Sequence, residues 1–435
     1  MTQQFASEDV TCLAARDMGE LLPYVEALED LAAHAIEPNV YYEPWMLIPA
    51  AKWLGHEGEL RFVVALSPGV DHRAGAPGVI GFFPVETSRH YDRFPLRTLR
   101  LWKHEKCFLC VPLLRAGWEY EALQAFLDWT RARPSGGALI EFDQITTGGP
   151  FHRALVEVLA RRRQPSLVDE VYVRSVLTRA NSCEAFLQQA VSSRHRRDME
   201  RKERKLARLG RLEYAALERE EDLAEWVGRF LEIESGGWKG EAGTALTQVP
   251  GDAQFFREVI AGAHRRGRLT MLGLRLEGRL IAIKCNLRSG PVGYAFMIAF
   301  DDQYSAHSPG LLLEMENIRQ VHRDPEVSRM DSCADPGNTM FSRIWNDKML
   351  IQRLIASDGT AFGNLRVASI PLLRCLIRVA RAVSRPPGAR PAGNVVAMMP
   401  AAGKRLASGL GDTGGIAEAE RDGEAGKDVP VESVR

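Results

Sequence analysis

The chain has 435 residues, too many for one ordinary core, and its composition predicts two domains followed by a tail. Its 56 Lys+Arg are matched by 56 Asp+Glu, so no global charge points to a nucleic acid or a membrane, and any such role must come from a local cluster. Seven scattered cysteines fit reduced thiols better than a disulfide framework. No run is long and apolar enough to span a bilayer, and the first twenty residues, with Glu8, Asp9, Arg16 and Asp17, lack a signal-peptide core. The expected location is cytoplasmic.

Residues 39–54, with the run YYEPWML, lead into a helix. Residues 60–66 and 79–86 read as strands joined by the Pro/Gly-rich excursion PGVDHRAGAPG, and 99–102 and 108–114 continue the sheet. Cys107 and Cys110 have the spacing of half a zinc site. Nothing nearby completes it, and CFLCVPLL reads as a buried strand. Leu123, Phe126, Leu127 and Thr130 give residues 120–132 one apolar helical face. A strand at 138–143 and a helix at 151–161 follow.

Residues 194–211, RHRRDMERKERKLARLGR, set nine Lys/Arg against three Asp/Glu. Met199, Leu206 and Leu209 leave this helix a thin apolar side. It reads either as a solvated helix or as a docking surface for an anionic partner. A helix over 222–234 then ends at Ser235-Gly236-Gly237, and WKGEAGTAL holds Trp238 and Lys239 on a glycine-rich loop with Thr244. An aromatic on such a loop plugs a core or lines a pocket. A further helix covers 252–266.

The stretch 269–333 carries the densest signal. Strands at 269–276 and 280–288 meet at the turn Glu277-Gly278, and a break at Ser289-Gly290-Pro291 leads into 292–300, the apolar run of a central strand. After Asp301-Asp302 comes Ser308-Pro309-Gly310 and a helical pattern with Leu311, Leu312, Met315 and Ile318 on one side. Serine before proline predicts a side-chain cap, Gly310 permits close approach of another group, and the helix start offers free N–H groups to an anion. A strand at 327–333 closes the unit.

Toward the C-terminus, residues 340–354 carry Phe341, Ile344, Trp345, Met349 and Leu350. Residues 370–385 place Arg374, Arg378, Arg381 and Arg385 beside an apolar stripe of Ile370, Leu373, Ile377 and Ala380. This basic amphipathic helix fits a membrane surface, a synthase partner, or docking on its own domain. From Pro386 the chain has little to bury, and disorder is expected.

Three strands in a meander, a helix and another strand resemble the centre of the GNAT superfamily of acyl-CoA N-acyltransferases. More narrowly, residues 194–204, Gly237-Trp238-Lys239-Gly240 with Gly243-Thr244, Gly267-Arg268-Leu269, Ser308-Pro309-Gly310 and Asp331-Ser332-Cys333 resemble one GNAT subfamily. That subfamily is associated with cellulose or exopolysaccharide biosynthesis and is related to the Fem peptidyltransferases. The resemblance covers roughly residues 14–354.

It implies a mixed α/β fold of two tandem GNAT-like domains: a degenerate one over 1–178 and an acyltransferase domain over 179–360, then the basic helix 361–385 and a disordered tail 386–435. The first domain, lacking a counterpart of Ser308-Pro309-Gly310, is expected to wall one side of the cleft.

Acetyl-CoA or another acyl-CoA is the implied co-substrate, with no metal, and the acceptor is a small molecule or saccharide. For the donor the candidate residues are Phe296, Ile298, Ser308, Gly310 and Leu311; Trp238, Lys239 and Thr244 are candidates for acceptor contact. Asp301, Tyr304, His307 and Asp331, all expected near strand ends, are candidate acids or bases. Cys333 reads as a packing thiol rather than a nucleophile. The candidate partners of the 194–211 helix are the adenosine phosphates of CoA, an acyl carrier protein or the acceptor stem of a tRNA. Two departures from the pattern are visible. The Gln/Arg-x-x-Gly-x-Gly/Ala phosphate loop of ordinary GNATs is missing, and Phe341 stands where the subfamily often has tyrosine. The resemblance leaves open an aminoacyl-tRNA-dependent transferase of the Fem type and a non-catalytic GNAT-fold subunit.

Overall fold

A computed structural model describes residues 10–55, 58–71, 77–91, 95–132, 139–335 and 338–383. The first half runs β1 (Thr11–Ala15), α1 (Met18–Leu21), α2 (Val25–Ala33), α3 (Pro44–Trp53), β2 (Glu59–Asp71), β3 (Pro77–Ser88), β4 (Thr98–Leu101), β5 (Leu113–Leu114), α4 (Glu119–Ala132), β6 (Leu139–Thr146), α5 (Pro150–Arg161) and β7 (Ser166–Thr178). Two connecting helices follow, α6 (Cys183–Ala190) and α7 (Ser193–Ala207). The second half runs β8 (Leu212–Ala216), α8 (Leu223–Gly236), α9 (Trp238–Glu241), α10 (Asp252–Arg265), β9 (Leu269–Leu276), β10 (Arg279–Ser289), β11 (Val292–Phe300), α11 (Pro309–Arg323), β12 (Arg329–Asp331), α12 (Thr339–Ser342), β13 (Asp347–Ser357) and α13 (Ala361–Val383).

The strands form one sheet in the order β1-β2-β3-β4-β6-β13-β7-β12-β11-β10-β9-β8, with β5 beside β3. Two runs within it are alike. β1-β2-β3-β4-β6 makes three antiparallel pairings and then a parallel one, β4 with β6. β8-β9-β10-β11-β12 repeats that pattern, with β11 and β12 parallel. In each run a helix, α4 or α11, precedes the parallel strand. The fold is a duplicated GNAT-type mixed α/β sheet.

The sixth strand of each half is exchanged. β7 pairs with β12 of the second half, β13 pairs with β6 of the first, and the two pair with each other. The sheet therefore runs unbroken across the expected 178/179 division, and residues 347–357 lie within the first half's strands.

Alternation along β10 separates two layers. Lys284 and Asn286 reach Glu314 and Asn317 of α11, while Ile283, Cys285 and Leu287 enter the core that holds Phe230 and Phe255. The β9–β10 hairpin turns on Glu277 (φ 50°) and Gly278 (φ 76°), the two positive φ values that a tight hairpin requires.

Several expected elements differ. Residues 108–112 are buried coil, and only Leu113–Leu114 form a strand. Pro112 cannot donate to a ladder, and the carbonyls of this segment are taken by side chains: Asn39 Nδ2 reaches Leu109 O (3.1 Å) and Val111 O (2.8 Å). Cys107 and Cys110 lie with their sulfurs 3.8 Å apart, and no cluster of three or more metal-ligating side chains occurs among the described residues.

α13 packs Val367 and Ile370 against Tyr91, Leu139 and Ile355. Arg374, the first arginine of the basic stripe, turns inward to Asp169 and the Tyr91 hydroxyl, because the Asp169 carboxylate is enclosed and needs cationic partners. The side chains of Ile377, Arg378, Ala380 and Arg381, all of Arg385 and the expected disordered tail lie outside the described residues. No helix among the described residues is long and apolar enough to cross a membrane.

Candidate active site

The parallel pairing of β11 with β12 lasts three residues, from Val292–Arg329 to Tyr294–Asp331. Beyond it the strands part, and β11 continues to Phe300 with β10 on one edge and no described strand on the other. A β-bulge at this level, where Cys285 faces Met297 and Asn286 faces Ala295, bends β11. The result is a wedge whose one wall is the backbone of residues 296–300.

The first half has the same wedge after Arg100–Glu141, and there the chain fills it. Cys110 N–H donates to Gln144 O (3.0 Å), and Phe108 O accepts from Arg174 Nη1 (2.7 Å). In the second half only the root is filled. Tyr41, fully enclosed, donates its hydroxyl to Cys333 Sγ (3.1 Å) and sets its ring against Tyr294 (5.8 Å) and Phe108 (6.0 Å). Phe296 is buried there, 6.5 Å from the Phe255 ring, and so packs rather than lining open space. Burial, and then the neighbouring Asp331, push the Cys333 thiol up, which removes it as a nucleophile near neutral pH.

Farther out the wedge is open. Ile298, Ala299 and Phe300 face Ile233, Glu234, Gly237, Trp238, Lys239 and Asp302 across a slot of about 30 Å³. Glu234 is nearly buried, ion-paired to Lys239 (2.7 Å), and accepts from Leu246 N (2.9 Å). Asp302 Oδ2 accepts from Trp238 N (2.9 Å) and so ties the α9 loop to the end of β11. Gly240 is obligatory, since a Cβ there would lie 1.8 Å from Ser235 O. Trp238 is 60% exposed, so it is a rim residue and not a core plug. Thr244 does not line the slot; its N–H (2.9 Å) and hydroxyl (3.3 Å) both return to Lys239 O and close the loop.

At the head of α11 the predicted cap is absent. Ser308 adopts the left-handed region (φ 51°), its side chain makes no capping bond, and its Oγ accepts instead from Lys202 Nζ of α7 (2.9 Å). Gly310 does allow a close approach, but the group that uses it is protein: an added Cβ would lie 3.1 Å from the Phe300 ring. Leu311 N is already bonded to Ser308 O (3.0 Å), and the Gly310 N–H has no acceptor among the described residues.

Asp301, Tyr304 and His307 gather in the two-turn 3-10 helix 302–307 and its cap, between β11 and α11. Asp301 caps that turn through Gln303 N (3.2 Å) and lies 3.8 Å from Arg229. Tyr304 packs against the α11 core cluster, and His307 Nδ1 is buried with no partner among the described residues.

Asp331 is not with them. It lies opposite Tyr294, six residues back along β11 from Phe300, or about 20 Å at strand rise. Its carboxylate is enclosed with Arg174 (3.1 Å) and accepts from Cys333 N (2.8 Å). Phe341 is core, tilted against Trp345 (4.7 Å).

Glu234 carries no motif, its only sequence signal being its place at the end of a helix before a glycine pair, and nothing in the basic run 194–211 sets Lys202 apart from its neighbours.

A family model, Acetyltransferase (GNAT) domain, matches residues 193–340, which hold α7, the wedge and the slot. No curated protein matches the chain. Among solved structures, FemX is similar at 10% identity over 76% of this chain and 95% of its own, with a TM-score of 0.48. The C-terminal domain of a lysylphosphatidylglycerol synthetase described as putative, from Agrobacterium fabrum, is similar at 12% identity over 82% and 96%, with a TM-score of 0.46. A tandem GNAT protein from the clavulanic acid biosynthesis pathway is similar at 15% identity over 81% and 99%, with a TM-score of 0.38.

Proposed function

We propose that the second half transfers an acyl group from a thioester donor, acetyl-CoA or a longer acyl-CoA, to an amine or hydroxyl of a small-molecule or saccharide acceptor. One observation carries this reading: the unpaired edge of residues 296–300 runs into a slot lined by Glu234, Lys239, Trp238 and Asp302. A strand edge presents fixed N–H donors, and a thioester carbonyl held there gains stabilisation as its oxygen becomes anionic. Glu234, held in place by its ion pair with Lys239, takes the proton from the attacking group. The amine or hydroxyl attacks the carbonyl carbon, the tetrahedral intermediate collapses, and the C–S bond breaks to release the thiol. With room for little more than one water, the slot must widen for the acceptor, and the exposed Trp238 on its glycine-rich loop is the part free to move.

The GNAT domain match supports the reaction class. A setting in polysaccharide or envelope synthesis is supported only by the resemblance of short motifs, Gly237-Trp238-Lys239-Gly240 and Ser308-Pro309-Gly310 among them.

The test is thiol release from acetyl-CoA and longer acyl-CoAs in the presence of amino sugars, sugar alcohols and amines. Wild type should turn over at least one pair, and Glu234→Gln should lower kcat by roughly a hundredfold or more with little change in KM for the donor. No thiol release above the solvent rate with any pair, or a Glu234→Gln enzyme as fast as wild type, refutes the assignment.

A further inference from the structure

Gly310 is filled by Phe300, so the head of α11 supplies little for a phosphate beyond the Gly310 N–H, which has no partner among the described residues. Positive charge reaches that point from another helix. Lys202 of α7 holds Ser308 Oγ (2.9 Å) and pairs with Asp198 (3.3 Å), and Asp198 in turn lines an open depression of about 550 Å³ with Ser192, Arg194, His195, Arg197 and Arg201. Arg201 is bonded to Asp198. Arg194 and Arg197 are exposed and make no ion pair among the described residues, so their charge is available to a ligand. Helix rise puts Arg194 about 12 Å from Lys202 along α7.

We infer that this face of α7 is the phosphate site of the acyl donor, with Arg194 and Arg197 holding a terminal phosphate of a nucleotide such as adenosine 3′,5′-bisphosphate and Lys202 reaching the diphosphate beside Ser308. The inference rests on the thioester-donor reading above and adds to it the residues that select a nucleotide-bearing carrier.

The ligand is compact. Asp198, Glu200 and Glu203 break the basic run into short segments, which suit one or two phosphates better than the row of phosphates along a nucleic acid strand. α7 is held for this role by Met199 and Leu206, both buried with the α11 core, so the arginines project from a fixed rod.

The experiment is calorimetric titration of wild type and Arg194→Gln/Arg197→Gln with adenosine 3′,5′-bisphosphate, acetyl-CoA, dephospho-CoA and a twelve-nucleotide single-stranded RNA, at two salt concentrations. Both side chains are exposed, so the variant should melt with wild type. The expected result is binding of the bisphosphate and acetyl-CoA that weakens at least tenfold in the variant, with a shallower salt dependence. Dephospho-CoA, lacking the 3′-phosphate, should bind the two proteins alike.

Equal affinity of wild type and variant for the bisphosphate overturns the site, as does failure of wild type to bind it. RNA binding tighter than the bisphosphate, and equally sensitive to the substitutions, overturns the nucleotide in favour of a nucleic acid. Acyl transfer that persists alongside an insensitive bisphosphate titration removes the α7 site and leaves the transferase. Sensitive binding with no transfer does the reverse.

Discussion

His104 should make this protein acid-sensitive well above the carboxylate range. It is 1% exposed, ringed by Trp102 (5.3 Å), Phe255 (5.8 Å) and Tyr41 (6.5 Å). Its Nδ1 accepts from Lys106 N (3.3 Å), and its Nε2 has no partner among the described residues, so the ring is neutral with its proton on Nε2. Burial, helped by the nearby Lys106, pulls its pKa from the ordinary 6.5 to about 3. The unfolded chain takes up a proton near 6.5 that the folded chain refuses, so the unfolded state binds more protons between those values and stability falls as pH falls through that window. At about 1.4 kcal/mol per unit, roughly 3 kcal/mol is lost between about pH 6.5 and 4.5. Glu37 works in the opposite direction. Burial raises its pKa, and folding gains as it protonates, so the total curve mixes the two. Comparison with His104→Phe isolates the histidine. Urea unfolding of both proteins at steps from about pH 7.5 to 4.5 should give stability curves that diverge by about 3 kcal/mol, with wild type falling faster. Parallel curves would show that His104 is protonated in the fold or reached by water, and would refute the argument.

Two further outcomes follow from buried contacts near the wedge. Lys284→Met strands the fully enclosed Glu314 with only Asn317 Nδ2 (2.8 Å) and Trp345 Nε1 (3.1 Å), and should cost about 3–5 kcal/mol in chemical unfolding, while Lys284→Met/Glu314→Leu should return to within about 1 kcal/mol of wild type. Gly310→Ala should cost about 1–3 kcal/mol by pressing its methyl on Phe300, with Phe300→Leu recovering part of that in the double variant; if Gly310→Ala alone is neutral, the close approach is not what fixes glycine there.

What the sequence revealed was whatever local pattern controls. The run 292–300 is a strand with those bounds, and Glu277-Gly278 is the tight turn its residues demand. The Ser308 cap was misread because a tertiary partner, Lys202, takes the hydroxyl that a free helix would use for itself. β7 and β13 escaped notice for a related reason. β7 carries Asp169, Tyr172 and Arg174 on its inward side and exposes Val168, Val171 and Val173, so its polarity is the reverse of an ordinary half-buried strand. That inversion makes sense only once β13 lies beside it, an arrangement set by residues nearly two hundred positions away. Asp331 looked like a site residue because it ends a strand, but its partner Arg174 comes from the other half. Glu234 gives no sign in the sequence because its enclosure depends on Lys239 folding back over it through Gly240.

The duplication explains why one wedge is available and the other is not. Each half builds the same parting of parallel strands, and a gap of that kind is costly unless water, a ligand or the chain itself meets its polar edges. The first half covers its own with residues 107–111, whose carbonyls are met by Asn39 and Arg174. Arg174 sits on the exchanged strand β7, and the same guanidinium holds Gln144 (2.7 Å), the Tyr172 hydroxyl (2.6 Å) and Asp331 at the root of the second wedge. One buried charge therefore spans the plugged gap and the open one. Strand exchange is what permits this, since β7 is covalently part of the first half and hydrogen-bonded to the second. The first half is thus a fixed wall: it seals its own wedge, sends Tyr41 into the root of its twin, and leaves the outer edge of β11 with no strand partner among the described residues.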